Sequence, residues 1–295
     1  MPADIQNILL SLDGHERPDA IMQTALLAAS LFSAQLSAIM LGGTPTQILS
    51  LAGEGLAGGM MDTVIDEAAE QHHQRHLTVK QLLTDLSHKG KIRWDKGSTS
   101  PIASDDPTLP PRLTLEVIDL STEDDLIWKA RLADFNIMPH PSHAPHAATL
   151  LRHLLFESSR PLLVAPQRPP HILGKRIAIA WSDNAATMVA LHNILPWAHK
   201  AQDVTLLYST HSQDHSPNVT EAANFLQSHG INATLTLFEP TKNHVGDDLL
   251  QAAYASGADL LSIGAFSHSP LRQRLLGSTT RHIVNHSKIP VLMNH

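Results

Sequence analysis

The residues best suited to chemistry lie near the end of the chain. An apolar run, Leu260–Ile263, predicts a buried strand that ends at Gly264. A polar loop follows, and a helical pattern begins at Gly277-Ser278-Thr279. A glycine-bearing loop between a strand and the start of a helix brings free backbone N–H groups and the positive end of the helix dipole to one place. This stretch therefore predicts a phosphate-binding loop.

Alternating strands and helices must position this loop. The order βαβαβαβαβ occurs twice, which indicates parallel sheets covered by helices on both faces. We expect an α/β fold with two tandem open, mainly parallel five-stranded sheets flanked by helices. The predicted strands are Ile5–Leu12, Leu36–Leu41, Ile92–Asp95, Leu113–Leu120, Ala133–Met138, Leu162–Ala165, Arg176–Trp181, Asp203–Tyr208, Ile231–Phe238, Leu260–Ile263 and Ile289–Met293.

Two passages of the first half match passages of the second. Ala130–Phe135 matches Ala255–Leu260, and Ser158–Val164 matches His286–Leu292 with one residue of slack. A tandem duplication accounts for both matches. We therefore predict one domain over residues 1–166, a linker that contains Pro169-Pro170 over 167–174, and a second domain over 175–295.

Composition excludes several classes of protein. The chain has 295 residues and no cysteine, so it can form no disulfide. Its net charge is -7, so it lacks the basic surface that nucleic acids or anionic membranes require. No apolar run approaches the roughly 20 residues of a membrane span. The first residues lack the basic segment of a signal peptide. These features predict a cytoplasmic protein.

The C-terminal stretch resembles the motif of the universal stress proteins. Nucleotide-binding members of that family carry Gly, two residues, Gly, nine residues, Gly and then Ser or Thr. Here Gly264 takes the first place, Ser267 stands where the second Gly is expected, and Gly277-Ser278 follow at the family's spacing. Passages such as FESSRPLLVAP and GKRIAIAW extend the resemblance to both halves. The chain therefore looks like a two-domain member.

The resemblance implies a site for ATP, with or without Mg²⁺. The phosphates would lie against Gly264, the loop from Ser267 and His268, and the helix start at Gly277-Ser278-Thr279. The family's aspartate at the end of the first strand contacts the nucleoside. It aligns with Ser182, which leaves Asp183 one place later as the candidate for the ribose contact.

The first half departs further from the motif. Pro139 stands where the second half has Gly264, and Ala148-Thr149 stand where it has Gly277-Ser278. A proline at the first position removes an N–H donor. We therefore expect a degenerate first domain without a phosphate loop.

The family also pairs its domains through their last strands. In a tandem chain, Leu162–Ala165 and Ile289–Met293 would pair within one molecule, because an exposed apolar edge otherwise invites another chain. We predict an intrachain pseudo-dimer. Further homodimerisation and the protein partner stay open.

Three functions remain open at the level of sequence. The first is a stress-response protein in which bound adenine nucleotide acts as a switch or binding module. The second is a nucleotide-free scaffold or interaction protein with the same fold, and the third is an ATP hydrolase or a histidine-metal hydrolase. We predict no catalytic residue, since the chain has neither Gly-x-Ser-x-Gly nor a P-loop, and at most slow ATP hydrolysis. We also predict no metal site, and the histidine clusters read as solvated positions: His72-His73-His76, His140-His143-His146 and His211-His215.

Overall fold

A computed structural model describes residues 5–12, 18–42, 58–94, 108–119, 123–143, 147–209, 218–241, 244–265 and 278–295. The strands lie close to the predicted bounds. They are β1 Asn7–Leu12, β2 Gln35–Gly42, β3 Arg93–Trp94, β4 Arg112–Asp119, β5 Phe135–Met138, β6 Leu162–Val164, β7 Arg176–Ala180, β8 Asp203–Ser209, β9 Ala233–Phe238, β10 Leu260–Gly264 and β11 Val291–Asn294.

Helices separate most of these strands. They are α1 Asp19–Phe32, α2 Gly58–His88, α3 Glu123–Leu132, α4 Ala147–Arg152, α5 Ala185–Asn193, α6 Leu195–Ala198, α7 Asn218–Ser228, α8 Val245–Ala255 and α9 Ser278–His286, with a 3-10 turn at Pro141–His143 and a π turn at His153–Glu157. Pro196 is the second residue of the short helix α6, which follows α5 after Ile194. None of the described helices is both long and apolar enough to cross a membrane.

The strands form one sheet instead of the two sheets that we predicted. The 11 strands run in the order β3-β4-β2-β1-β5-β6-β11-β10-β7-β8-β9. The last strands of the two halves join it, with Leu163 opposite Leu292 in the antiparallel pair β6–β11. The other neighbouring strands are parallel. The α/β class and the pairing through the last strands are confirmed, and this pairing is the reason that the sheet is continuous.

Equivalent residues hold the first strand of each half. Asp134 accepts hydrogen bonds from the N–H groups of Gln6 and Asn7, at 2.7 and 2.8 Å. Asp259 accepts from the N–H groups of Lys175 and Arg176, at 2.9 and 3.0 Å. The two aspartates occupy matching places in the repeated passages, so the sequence repeat is also a repeat of contacts.

A second repeated contact explains the one-residue offset between the matching passages Ser158–Val164 and His286–Leu292. Ser158 Oγ accepts from the N–H of Arg160 at 3.1 Å, just before β6. Ser287 Oγ accepts from the N–H of Ile289 at 3.3 Å, just before β11. Ser158 therefore corresponds to Ser287, one place beyond the residue that we aligned with it.

Two apolar layers cover the sheet, and each layer spans both halves. Helices α1, α2, α5, α6 and α7 pack on one face, and α3, α4, α8 and α9 pack on the other. In the first layer, Trp197 of α6 packs against Phe32 of α1 and Phe135 of β5, with ring centroids 4.8 and 5.4 Å apart. The linker residue Gly174 has φ +74° and lies against the same tryptophan. The halves thus share their cores as well as their sheet.

Candidate functional site

The candidate site lies where β7 and β10 end. These strands are neighbours, and the chain leaves β7 toward β8 on one side while β10 and β11 lie on the other. Ligands of open α/β sheets bind at such a switch point, beyond the carboxyl ends of the strands. The N-termini of α5, which follows β7, and of α9, which precedes β11, reach this same edge. The topology therefore places two helix dipoles at the crevice.

The predicted site residues divide between described and undescribed positions. Gly264 is the last residue of β10, and Ser278 and Thr279 are the first two residues of α9. Ser278 is exposed and Thr279 is half-buried. The loop residues Ser267, His268 and Gly277 lie outside the described residues.

Gly264 has a packing role that the sequence did not reveal. A Cβ at this position would lie 2.5 Å from the backbone N of Thr187 and 2.6 Å from the carbonyl carbon of Ala186. These atoms belong to the first turn of α5, so they cannot move aside as a flexible side chain would. The glycine lets α5 lie directly against the end of β10, and this contact alone requires it.

The hydroxyl of Ser182 belongs to the cap of α5. Asn184 is the N-cap, and its Oδ1 accepts from the backbone N–H of Thr187 at 2.9 Å. Ser182 Oγ lies 3.1 Å from Thr187 Oγ1 and accepts a hydrogen bond from Asn184 Nδ2. Sequence reasoning missed Asn184, although an asparagine ahead of a helical run is a common capping signal.

Asp183 lies between these capping residues and is exposed. It precedes the N-cap of α5, in the loop that follows β7. The carboxylate that we predicted for a ribose contact is therefore at the crevice edge.

The first turns of the surrounding helices differ in charge. Those of α5 and α9 contain no acidic residue, whereas that of α8 contains Asp247 and Asp248. Carboxylates near a helix N-terminus offset its positive end. Consequently α5 and α9 are better suited than α8 to attract an anion.

Histidines surround Asp247. His282 Nε2 donates to Asp247 Oδ1 at 2.7 Å, and His244 Nδ1 lies 3.6 Å from Oδ2. The hydrogen bond from His282 is the main cause that holds the pKa of Asp247 below its usual value. Asp248 accepts from the hydroxyl and the N–H of Thr241, both at 2.7 Å, and these bonds lower its pKa as well. Asp247 and Asp248 thus have separate hydrogen-bond partners.

The contact between Asp247 and His282 also fixes α9 against α8. Gly246 lets the two helices approach closely, because a Cβ there would meet His282 Cδ2 at 2.9 Å. The rings of His282 and His286 stack with centroids 4.1 Å apart. The helix whose first turn we assign to phosphates is therefore held against α8 through His282.

Buried polar groups lie directly behind the end of β10. Asn193 Nδ2 donates to Asn294 Oδ1 at 2.9 Å, and the N–H of Ala265 donates to the carbonyl oxygen of Asn294 at 2.7 Å. Ser262 Oγ and Asn294 Nδ2 are buried and have no hydrogen-bond partner within the described part of the chain. These groups were not singled out from sequence, where isolated Ser and Asn residues in apolar runs carry no distinctive spacing.

The matching place in the first half is filled differently. Pro139 and His140 follow β5, and His140 is only 2% exposed. Its Nδ1 accepts from the N–H of Ser142 at 3.1 Å and lies 2.7 Å from Ser142 Oγ. His140 is thus tied into a local turn and is not a solvated position, contrary to our reading of this histidine cluster.

Among the residues that the structure describes, the other histidine clusters form no metal centre. Within the described residues, no three side chains of His, Asp or Glu are grouped as ligands of a metal ion. His72, His73 and His76 lie on the long helix α2, and His211 and His215 lie outside the described residues.

An open, mostly parallel α/β sheet with helices on both faces defines the class of doubly wound α/β folds. Within that class, residues 183–295 match the model of the universal stress protein family. The chain therefore contains a universal stress protein domain over this range. No curated protein matches the sequence.

Solved structures extend the likeness in fold to the whole chain. A universal stress protein from Archaeoglobus fulgidus DSM 4304 has a TM-score of 0.63 at 14% identity, and the match covers 98% of this chain and 95% of that chain. A functionally unknown protein from Pseudomonas aeruginosa PAO1 has a TM-score of 0.56 at 15% identity, over 98% of this chain and 92% of that chain. At these identities the likeness concerns the fold.

Proposed function

We propose that this protein binds an adenine nucleotide, ATP, at the carboxyl ends of β7 and β10 and acts in a stress response as a nucleotide-dependent switch or binding module. The observation that carries the proposal is the family match over 183–295, a range that includes the whole strand, loop and helix motif. The first turn of α9 contains no acidic residue that would offset the positive end of the helix dipole. This supports the proposal, because phosphates bind well at such helix N-termini.

The residues divide into phosphate and nucleoside contacts. Ser278 and Thr279 would donate backbone N–H groups and hydroxyls to the phosphates, together with the loop residues Ser267, His268 and Gly277. Asp183 would accept from the ribose, and Mg²⁺ would accompany the phosphates if the native ligand is the metal complex. Ser182 and Gly264 would shape the pocket through their contacts with α5.

We assign the nucleotide to the second of two domains. In this assignment residues 1–166 form the degenerate domain, 167–174 the linker and 175–295 the nucleotide-binding domain. The tandem chain would work in the cytoplasm as a pseudo-dimer, and the bound state would be transmitted to a protein partner rather than to a catalytic step.

A second candidate is a nucleotide-free scaffold with the same fold. It is favoured by the contacts of α5, since Gly264 is required by packing against Thr187 and the Ser182 hydroxyl is engaged in the helix cap. Neither residue needs a ligand to explain it. The presence of Ser267 in place of the family glycine also favours the nucleotide-free scaffold.

A matched pair of variants separates the two candidates. Ser278→Glu adds a carboxylate to the first turn of α9, where it favours the helix but repels phosphate. Thr149→Glu adds the same charge to the exposed first turns of α4, the corresponding helix of the first half. We expect ATP to bind the stripped wild-type chain and Thr149→Glu equally in calorimetric titrations, and to bind Ser278→Glu at least about tenfold more weakly.

The nucleotide content of freshly purified protein completes the test. Adenine nucleotide released on denaturation of the wild type, but not of Ser278→Glu, supports the switch. If the wild type releases no nucleotide and shows no titration heat with ATP, the nucleotide proposal is wrong and the scaffold takes its place.

A further inference from the structure

Phe156 of the first half contacts the second half close to the candidate site. It belongs to the π turn His153–Glu157, and its ring packs edge-on against the ring of His295, with centroids 4.6 Å apart and an interplanar angle of 78°. Rings attract each other in this edge-to-face arrangement. Because Phe156 precedes β6 and His295 follows β11, the contact joins the two halves beside their paired last strands.

His295 also contacts the first residue beyond β10. Its Nδ1 lies 3.3 Å from the carbonyl oxygen of Ala265, so an N–H at Nδ1 donates to this carbonyl group. The N–H of Ala265 donates to the carbonyl oxygen of Asn294 at 2.7 Å. Ala265 is fully buried, and the end of β11 holds both of its backbone polar groups. We call Phe156, His295 and Ala265 the cross-half clasp.

The cross-half clasp lies at the carboxyl end of β10, where we place the phosphates. In the sheet β10, β11 and β6 are consecutive neighbours, with Gly264 opposite Asn294 and Met293 opposite Leu162. Because β6 runs antiparallel to β11, the start of β6 lies at the same edge of the sheet as the end of β10. Phe156 therefore lies beside the crevice of the second half, although the strands of its own half end at the opposite edge.

The sequence repeat does not extend to this contact. When the two matching serines are aligned, Phe156 corresponds to Asn285, and His295 corresponds to Pro166. An asparagine and a proline cannot form a pair of aromatic rings. Duplication alone thus does not account for the cross-half clasp, which lies at the edge where the nucleotide is proposed to bind.

We propose that Phe156 is a positioning residue for the nucleotide site of the second half. Its ring holds the ring of His295, which in turn holds the carbonyl group of Ala265 and so fixes the direction in which the chain leaves β10. Binding groups must be held within about 0.5 Å of their productive positions, so the phosphate contacts depend on this direction. The inference rests on the proposed function and assigns part of the nucleotide site to the first half.

The same contact carries information in the other direction. Coupling between two sites is reciprocal, so a contact that strengthens ATP binding is itself strengthened when ATP binds. Bound nucleotide would therefore tighten the packing of Phe156 on His295. In this way the first half senses whether the second half is occupied.

ATP titrations of full-length variants test the cross-half clasp. Phe156→Leu removes the ring but keeps a large apolar side chain, and we expect about fivefold weaker ATP binding, whereas Phe156→Tyr should keep the wild-type affinity. His295→Phe keeps the ring pair but loses the donor to Ala265, and it should also weaken ATP binding by about fivefold. Because the residues act in series, the double variant Phe156→Leu, His295→Phe should bind ATP no more weakly than His295→Phe alone.

Phe225→Leu is the matched control. Phe225 lies on the helix between β8 and β9 and packs edge-on against His192 with centroids 4.7 Å apart, so the variant removes a similar pair of rings elsewhere. We expect it to leave the ATP affinity unchanged. A second measurement uses the nucleotide-free protein, in which Phe156→Leu should speed hydrogen exchange at the N–H of Ala265 and Phe225→Leu should not.

The possible failures are distinguishable. If the wild type binds no ATP, the proposed function is wrong, and the positioning role fails with it. If the wild type binds ATP and Phe156→Leu binds it equally well, only the positioning role is wrong. An equal loss of affinity in Phe225→Leu, or unchanged exchange at Ala265 in Phe156→Leu, would also refute that role. Should Phe156→Leu fail to fold, His295→Phe decides, because His295 is exposed and its substitution should keep the fold.

Discussion

At the scale of single residues, the contact between His282 and Asp247 predicts a measurable shift. The hydrogen bond from His282 lowers the pKa of Asp247 below the ordinary 3.8, so the stabilisation from this pair is present above that pH and is lost as the pH falls through the lowered pKa. His282→Ala should raise the pKa of Asp247 toward 3.8. An NMR titration of the side-chain carboxyl carbons measures it directly.

Thr241→Val provides the reciprocal control. It removes the hydroxyl that donates to Asp248, so it should raise the pKa of Asp248 and leave that of Asp247 in place. If His282→Ala shifted the pKa values of Asp247 and Asp248 equally, the contacts of the two carboxyl groups would not be independent, and the assigned contacts would be wrong.

Gly264 provides a second prediction at this scale. Gly264→Ala places a methyl group 2.5 Å from the backbone of α5, and we expect a loss of about 2 kcal/mol or more in the free energy of unfolding. Gly246→Ala is the matched comparison, because the new methyl group would meet only the side chain of His282. Denaturant unfolding should show the smaller loss for Gly246→Ala, and the reverse order would refute the packing role of Gly264.

At the scale of elements, the two aspartates that hold β1 and β7 should act alike. Asp134→Ala and Asp259→Ala each remove an acceptor of two backbone hydrogen bonds. We expect each to lower the free energy of unfolding by about 1 to 3 kcal/mol at neutral pH.

Asp259 is buried, and this burial makes its contribution to stability depend on pH. Burial raises the pKa of Asp259 and outweighs its backbone hydrogen bonds, so its contribution to stability falls as the pH rises from 3.8 through the raised pKa. Chemical denaturation across this range should show the effect in the wild type and not in Asp259→Ala.

The sequence predicted the elements better than their contacts. Apolar runs such as Leu260–Ile263 identified the strands because burial on both faces leaves a local signature. The register that places Arg93 opposite Arg112 has no such signature, since it depends on which strands become neighbours. Likewise, the sequence could not show that the backbone of α5 lies against Gly264.

The candidate site was predictable only in outline. The spacing of Gly264, Gly277 and Ser278 located the strand and the helix, and the structure places both ends at a switch point. Asn184 was missed although an asparagine ahead of a helical run is a capping signal, whereas its contacts with Ser182 depend on the geometry of the loop after β7. His140 was misread for a similar reason, since its burial depends on the turn at Ser142.

At the scale of the whole molecule, the shared cores predict cooperative unfolding. Trp197 packs against Phe32 and Phe135 of the other half, and the sheet continues through β6 and β11. We expect one calorimetric transition for the intact chain, and Trp197→Ala should lower the free energy of unfolding by about 3 to 5 kcal/mol. Two resolved transitions would show that the halves unfold separately.

The antiparallel contact between Leu162–Val164 and Val291–Asn294 has a further consequence, because a covalent linker joins the two partners. If two separate chains paired through such strands, the pair would dissociate on dilution. The fraction of paired chains would then depend on the concentration of the protein in the cell. Here each half meets the other at a fixed effective concentration that is set by the linker. Changes in expression level therefore cannot dissociate the two halves.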